Sequence, residues 1–150
     1  MFWRALLAFL ALPGIVALAI PALLAAAESR RGATPNFVGL LPLGVGLFLL
    51  LWCVRDFYVA GKGTLAPWSP PRHLVTTGLY RFSRNPMYVA VTLMLVGWFI
   101  CSPSKTLAIY AAFVIVAFQL RVVFGEEPWL ARTHGVTWDE YKARVPRWLM

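Results

Sequence analysis

Four apolar runs constrain this chain more than anything else in it. Ala5 to Ala27 carries no charge and is long enough to cross a bilayer, which takes about 20 residues. A second run is uncharged from Asn36 to Val54, within a span over 36–58. Met87 to Cys101 and Thr106 to Leu120 are the cores of two more, over 86–102 and 105–124. Inside a bilayer, every backbone polar group must be satisfied within its own segment, so such runs are helices. The chain is 60% hydrophobic and 13% charged, with a mean hydropathy of +0.69. A soluble domain is about half apolar and a quarter charged. The expectation is an all-α integral membrane protein with four transmembrane helices and one membrane domain over 1–150.

Ala25-Ala26-Ala27 before Glu28 is similar to a signal-peptide cleavage site. The run is long for such a segment, and Arg4 alone makes a thin basic flank, so a retained first span is expected. In the second span, Gly39, Gly44 and Gly46 suit close helix packing, and Pro42 is expected to bend the helix without ending it. The connection around Ser102-Pro103-Ser104 is short, which makes spans three and four an antiparallel hairpin.

The basic residues then set an orientation. With four spans, eleven of the 14 Lys and Arg fall on the side shared by the N-terminus, the 61–85 loop and the 125–150 tail. Arg30, Arg31 and Lys105 fall on the other. Basic residues mark the cytoplasmic face, so both termini belong there. A net charge of +8 also raises nucleic acid as a partner. The charges instead flank apolar segments, where they meet anionic lipid, and no nucleic-acid module is present. Cys53, Cys101, His73 and His134 stand alone, with neither metal-ligand spacing nor a disulfide framework.

The loop holds Gly61, Gly63, Pro67, Pro70, Pro71 and Gly78, so it is not one continuous helix. Trp68, Leu74, Val75, Leu79, Tyr80 and Phe82 equip it to pack on the spans. Asn85 is a candidate N-cap and Pro86 a first-turn proline for span three. In the tail, Thr137 and Glu140 have capping-box spacing. Trp138, Tyr141, Val145, Trp148 and Leu149 recur about every three or four residues opposite Lys142, Arg144 and Arg147. That pattern predicts an amphipathic interfacial helix, with a lid over a site as a second role.

The hairpin would set residues 81–88 against 119–127 at one depth. Arg81, Arg84, Asn85, Tyr88, Gln119, Arg121, Glu126 and Glu127 gather there. One reading is an ion-pair cluster that pins the hairpin. The other starts from the adjacent glutamates, whose repulsion calls for more than one cation. A charged mouth on an apolar cavity suits a ligand with an ionic and a lipophilic part.

The motifs Gly-Leu-Tyr-Arg-Phe-Ser-Arg-Asn-Pro-Met-Tyr at 78–88, Glu-Glu-Pro at 126–128 and Gly-Val-Thr-Trp-Asp-Glu-Tyr-Lys-Ala-Arg-Val-Pro-Arg-Trp at 135–148 carry a resemblance. Over residues 61–150 the chain resembles the isoprenylcysteine carboxyl methyltransferase and phospholipid methyltransferase superfamily, in its small bacterial membrane form. The resemblance implies an S-adenosylmethionine-dependent methyltransferase of the bacterial inner membrane, with its site on the cytoplasmic face. It implies catalytic roles for Arg84, Asn85, Tyr88 and Glu127. Tyr80, Arg81, Asn85, Pro86, Tyr88, Glu126 and Glu127 would bind the cofactor, and no metal is implied. Asn85 stands where the family's pattern has histidine, so a histidine base at this position is not carried over.

The acceptor implied is lipophilic or prenylated, with isoprenylcysteine-type carboxyl methylation the leading expectation. A phospholipid amine and a small thiol or acid are the alternatives. A carboxylate acceptor needs no base, whereas an amine must lose a proton. Two other classes compete: a sterol-reductase-like membrane oxidoreductase using a nicotinamide cofactor, and a non-enzymatic membrane scaffold. The sequence indicates no oligomeric state.

Overall fold

A computed structural model describes residues 10–60 and 73–149. Expectations for residues 1–9, including Arg4, and for most of the Gly- and Pro-rich loop, including Lys62, Trp68 and Arg72, lie outside the described residues. Every regular element described is helical. A wide helical stretch, Leu10–Ala19, runs into α1 (Ile20–Arg30). A 3-10 turn at Phe37–Gly39 leads into α2 (Leu40–Val59), and another at Gly78–Arg81 precedes α3 (Pro86–Cys101). Then come α4 (Lys105–Arg121), a wide turn Val122–Glu126, α5 (Glu127–His134) and α6 (Val136–Arg144). Among the described residues, three helical stretches are long and apolar enough to cross a membrane: Pro13–Arg30, Phe37–Val59 and Lys105–His134. Pro86–Cys101 is apolar but, at 16 residues, shorter.

Glycines decide how α2 and α3 meet. A Cβ on Gly97 would stand 2.6 Å from Leu43 N and 2.8 Å from the Gly39 carbonyl oxygen. One on Gly46 would stand 2.7 Å from the Ala90 carbonyl oxygen. The two backbones are therefore in contact, and α3 packs far more closely on α2 than on α4. Gly44, expected to share this role, faces open space. Pro42 sits in the first α turn, where its missing N–H removes no intrahelical bond. Leu50, Ala90, Met94 and Leu95 fill the core between the helices. Phe48, Ile109, Phe113 and Val116 point outward, as lipid-facing side chains do.

A proline also ties the first helix in. Pro21 has no N–H, so one carbonyl in the preceding turn lacks its helical donor. Trp98 Nε1 donates to Ala17 O at 2.9 Å, and the Tyr110 hydroxyl donates to Val16 O at 2.7 Å. Side chains from α3 and α4 thus bond two carbonyls in the turn before the proline.

Two local expectations are corrected. The Thr137/Glu140 capping box does not form, because α6 starts at Val136 behind Gly135, whose φ is +50°. The apolar face of α6 is not an interfacial surface either. Trp138, Tyr141 and Val145 are buried against Leu74 and Leu130, while Val136 and Leu149 are left strongly exposed. The loop offers an apolar surface close by, and Trp138 and Tyr141 are buried there.

Candidate functional site

The continuous helix from Lys105 to His134 governs the geometry of the two glutamates. Pro128 lacks an N–H, and the wide turn just before it absorbs the missing bond, so the helix does not break. Glu126 and Glu127 are therefore successive helical residues, about 100° apart around the axis. Their carboxylates diverge, and each finds its own cations. Glu126 accepts from the Tyr88 hydroxyl and from Arg121 Nε at 2.8 Å. Glu127 accepts from Arg147 Nε at 2.9 Å and Nη2 at 2.8 Å in a two-pronged fork. Arg84 Nη1 lies 2.9 Å from Glu127 Oε1, at ion-pair distance. That contact lacks hydrogen-bond alignment: neither Arg84 Nη1 nor Nε completes a hydrogen bond, although the side chain is only 9% exposed. Its guanidinium carbon stands 5.5 Å from the centre of the Trp138 ring.

The segment before α3 is held from two sides. Gly78 adopts φ +59° and lies against the buried Asp56 carboxylate, leaving no room for a Cβ. Tyr80 is buried with Cys53 and Val75, and its ring lies 5.4 Å from that of Phe57. The Tyr141 hydroxyl donates to the Tyr80 carbonyl at 2.8 Å. Burial pushes the hydroxyls of both Tyr80 and Tyr141 well above the ordinary tyrosine range, so both stay neutral. From the other side, Arg84 N donates to Pro146 O at 2.9 Å. The Ser83 hydroxyl and Asn85 Nδ2 both donate to Arg147 O, at 3.3 and 3.0 Å. The Asn85 side chain therefore does not make the N-cap bond to α3 that the helix pattern predicts. Ser83 Oγ accepts from Asn85 N–H at 3.1 Å, and the carboxamide is turned to the tail.

These elements line a partly open cavity of about 80 Å³. Phe57, Leu74, Val75, Met87 and Leu130 form its apolar wall. Tyr80, Arg84, Asn85, Tyr88 and Glu126 supply the polar side, and Trp138 and Tyr141 close it from the tail. The Tyr88 ring stacks on Phe118 with centroids 4.4 Å apart.

The sequence-predicted residues thus divide. Tyr80, Arg84, Asn85, Tyr88 and Glu126 meet at one cavity. Glu127 is behind it, paired with Arg84. Pro86 is buried at the start of α3 without lining the cavity. Arg81 is exposed and forms no ion pair among the described residues. Gln119 accepts from Trp148 Nε1 at 3.0 Å. Sequence reasoning assigned Arg147, Trp138 and Tyr141 to an interfacial face and gave Ser83 and Asp56 no role. The one available signal was that two adjacent carboxylates need several cations.

The donor set suits a zwitterionic cationic ligand such as S-adenosylmethionine. Arg84 has unspent donors for a carboxylate, and Glu126 offers an acceptor for an ammonium. The volume does not suit it yet, since ligand sites of this kind start at about 300 Å³. Among the described residues, no three His, Cys, Asp or Glu side chains gather as metal ligands.

Long apolar helices with a charge-paired cavity at one end define an integral membrane protein. Residues 35–137 match the phospholipid methyltransferase family model, and the chain belongs to that family of membrane methyltransferases. The matched segment holds the motifs at 78–88 and 126–128. The chain is also 30% identical over 109 residues to a nickel-cobalt-cadmium resistance protein, NccN, of Alcaligenes xylosoxydans xylosoxydans. That alignment covers 73% of this chain and 46% of the relative, so the chain spans less than half of that protein's length. No solved structure matches.

Proposed function

We propose that this protein transfers the methyl group of S-adenosylmethionine to a lipophilic acceptor of the isoprenylcysteine carboxylate type. In this reading the chain crosses a bacterial inner membrane four times, spans three and four form a hairpin, and the cavity opens on the cytoplasmic face. The observation that carries the proposal is the pairing, on one cavity, of Arg84 donors and the Glu126 carboxylate with a wall of Phe57, Leu74, Val75 and Met87. Family membership supports the reaction class.

The bound cofactor supplies an electrophilic methyl group on a cationic sulfur. Arg84 holds the cofactor's carboxylate, and Glu127 holds Arg84 in place. Glu126 takes the ammonium, and Tyr88 orients Glu126 through its hydroxyl. The apolar wall receives the acceptor's hydrocarbon part and excludes water, so that positioning does most of the catalytic work. Asn85 cannot act as a base, which fits an acceptor that is already ionised.

Tritiated methyl transfer tests this directly, using purified protein in lipid nanodiscs with N-acetyl-S-farnesylcysteine and phosphatidylethanolamine as rival acceptors. The expected product is a base-labile methyl ester on the cysteine derivative. Base-stable label on the phospholipid would move the acceptor to the amine class, with Tyr88–Glu126 as the proton acceptor. Folded protein that fails to bind S-adenosylmethionine in both detergent and lipid, by calorimetry, would defeat the proposal.

A further inference from the structure

We infer that the tail segment Val145–Trp148 is a latch that keeps the cavity narrow and must release before ligand enters. The helix α6 stops at Arg144, and Val145 is already extended, with φ −121° and ψ 128°. Beyond it the chain has no regular structure of its own, so its position depends on what it touches. Arg84 N–H is bonded to Pro146 O. Ser83 Oγ and Asn85 Nδ2 are bonded to Arg147 O. The Arg147 guanidinium forks onto Glu127, and Trp148 Nε1 reaches Gln119. One short segment thereby joins the start of α3 to the ends of α4 and α5.

Two further observations make this contact a closure. Trp138 and Tyr141, which roof the cavity, belong to the helix that runs directly into the segment. With the roof in place the cavity holds about 80 Å³, well below the roughly 300 Å³ at which ligand sites begin. Gly135, at φ +50°, joins α5 to α6 as a hinge and has open space around it. The outer contacts are the ones water reaches. The Arg147 side chain is 35% exposed, and the Trp148–Gln119 bond is at the surface. Contacts of this kind open locally far more readily than the α2–α3 core.

A latch reduces apparent affinity, because only the open fraction of molecules binds. The choice of ligand rests on the methyl-donor reading above, whereas the closure does not. The test uses full-length protein in nanodiscs, as wild type, Arg147→Gln and Gln119→Leu. Amide hydrogen exchange at Arg84 is read without ligand, and S-adenosylmethionine association by stopped flow. In Arg147→Gln, exchange at Arg84 should rise about tenfold while Met94 and Leu95 stay protected, and association should quicken by a similar factor. Gln119→Leu keeps every charge and should shift both readouts the same way by less, which decides the matter if Arg147→Gln does not fold. Slower or weaker binding in the variants would mean that the tail holds the ligand instead of excluding it, and would overturn the latch. Unchanged exchange at Arg84 would overturn it as well. Accelerated exchange with no S-adenosylmethionine binding by any of the proteins would support the closure and defeat the methyl-donor reading.

Discussion

Replacing Glu127 by glutamine should destabilise the protein by about 2–3 kcal/mol, and the same change at Glu126 by no more than about 1 kcal/mol. Glu127 is 12% exposed, accepts the Arg147 fork at 2.9 and 2.8 Å, and faces a 9%-exposed Arg84 at 2.9 Å. A glutamine keeps one acceptor oxygen, loses the fork, and leaves the Arg84 charge beside little but the Trp138 ring. Hydrogen bonds to charged groups contribute about 1.5–3 kcal/mol. The Arg147 share must be discounted, because that side chain is 35% exposed. Uncovering a buried arginine adds to the loss, toward the 3–5 kcal/mol seen for broken buried pairs. Glu126 differs because its partner Arg121 is 51% exposed. Reversible unfolding in mixed micelles, followed by helicity, measures both variants. A double-mutant cycle of Glu127→Gln with Arg147→Gln should return a coupling of about 1–2 kcal/mol. A coupling near zero, or a Glu126 variant as costly as the Glu127 one, would refute the assignment of separate cations to the two carboxylates.

Gly97→Ala should cost about 1–3 kcal/mol, since its Cβ would meet Leu43 N at 2.6 Å, while Gly44→Ala should be neutral or slightly stabilising; thermal unfolding in detergent compares them. Tyr88→Phe keeps the ring on Phe118 but loses the hydroxyl bond to Glu126, so methyl transfer should drop about tenfold or more with little change in folding, read by turnover beside helicity. Tyr80 and Tyr141 release their protons at higher pH folded than unfolded. Their contribution is complete below the unfolded value of about 10 and is lost as pH rises above it. Unfolding free energy should therefore fall above about pH 10, and less steeply in Tyr141→Phe.

The membrane class was legible because long uncharged runs leave one structural solution. The polar signature was legible because Tyr80, Arg84, Asn85 and Tyr88 are close in sequence and Glu126 recurs at the matching depth. Gly39 and Gly46 were legible as packing glycines, but Gly44 was not separable from them. Its backbone is as small as theirs, and only the position of the neighbouring helix tells them apart. Arg81 and Arg84 looked equivalent in sequence, yet one faces solvent and the other is buried against Trp138.

By itself the sequence determined apolar helices and a pair of carboxylates in need of cations, because hydropathy and charge are local properties. Tertiary structure decided which cation serves which carboxylate. The wide turn at Val122–Glu126 keeps Glu126 and Glu127 on one helix and so points them apart. It also decided that Trp138 and Tyr141 close over the cavity and that Arg147 pairs with Glu127 behind it. Apolar spacing along a helix is the same whether its face is covered by lipid or by the rest of the chain, and here Leu74, Leu130, Tyr80 and Glu127 were close enough to cover it.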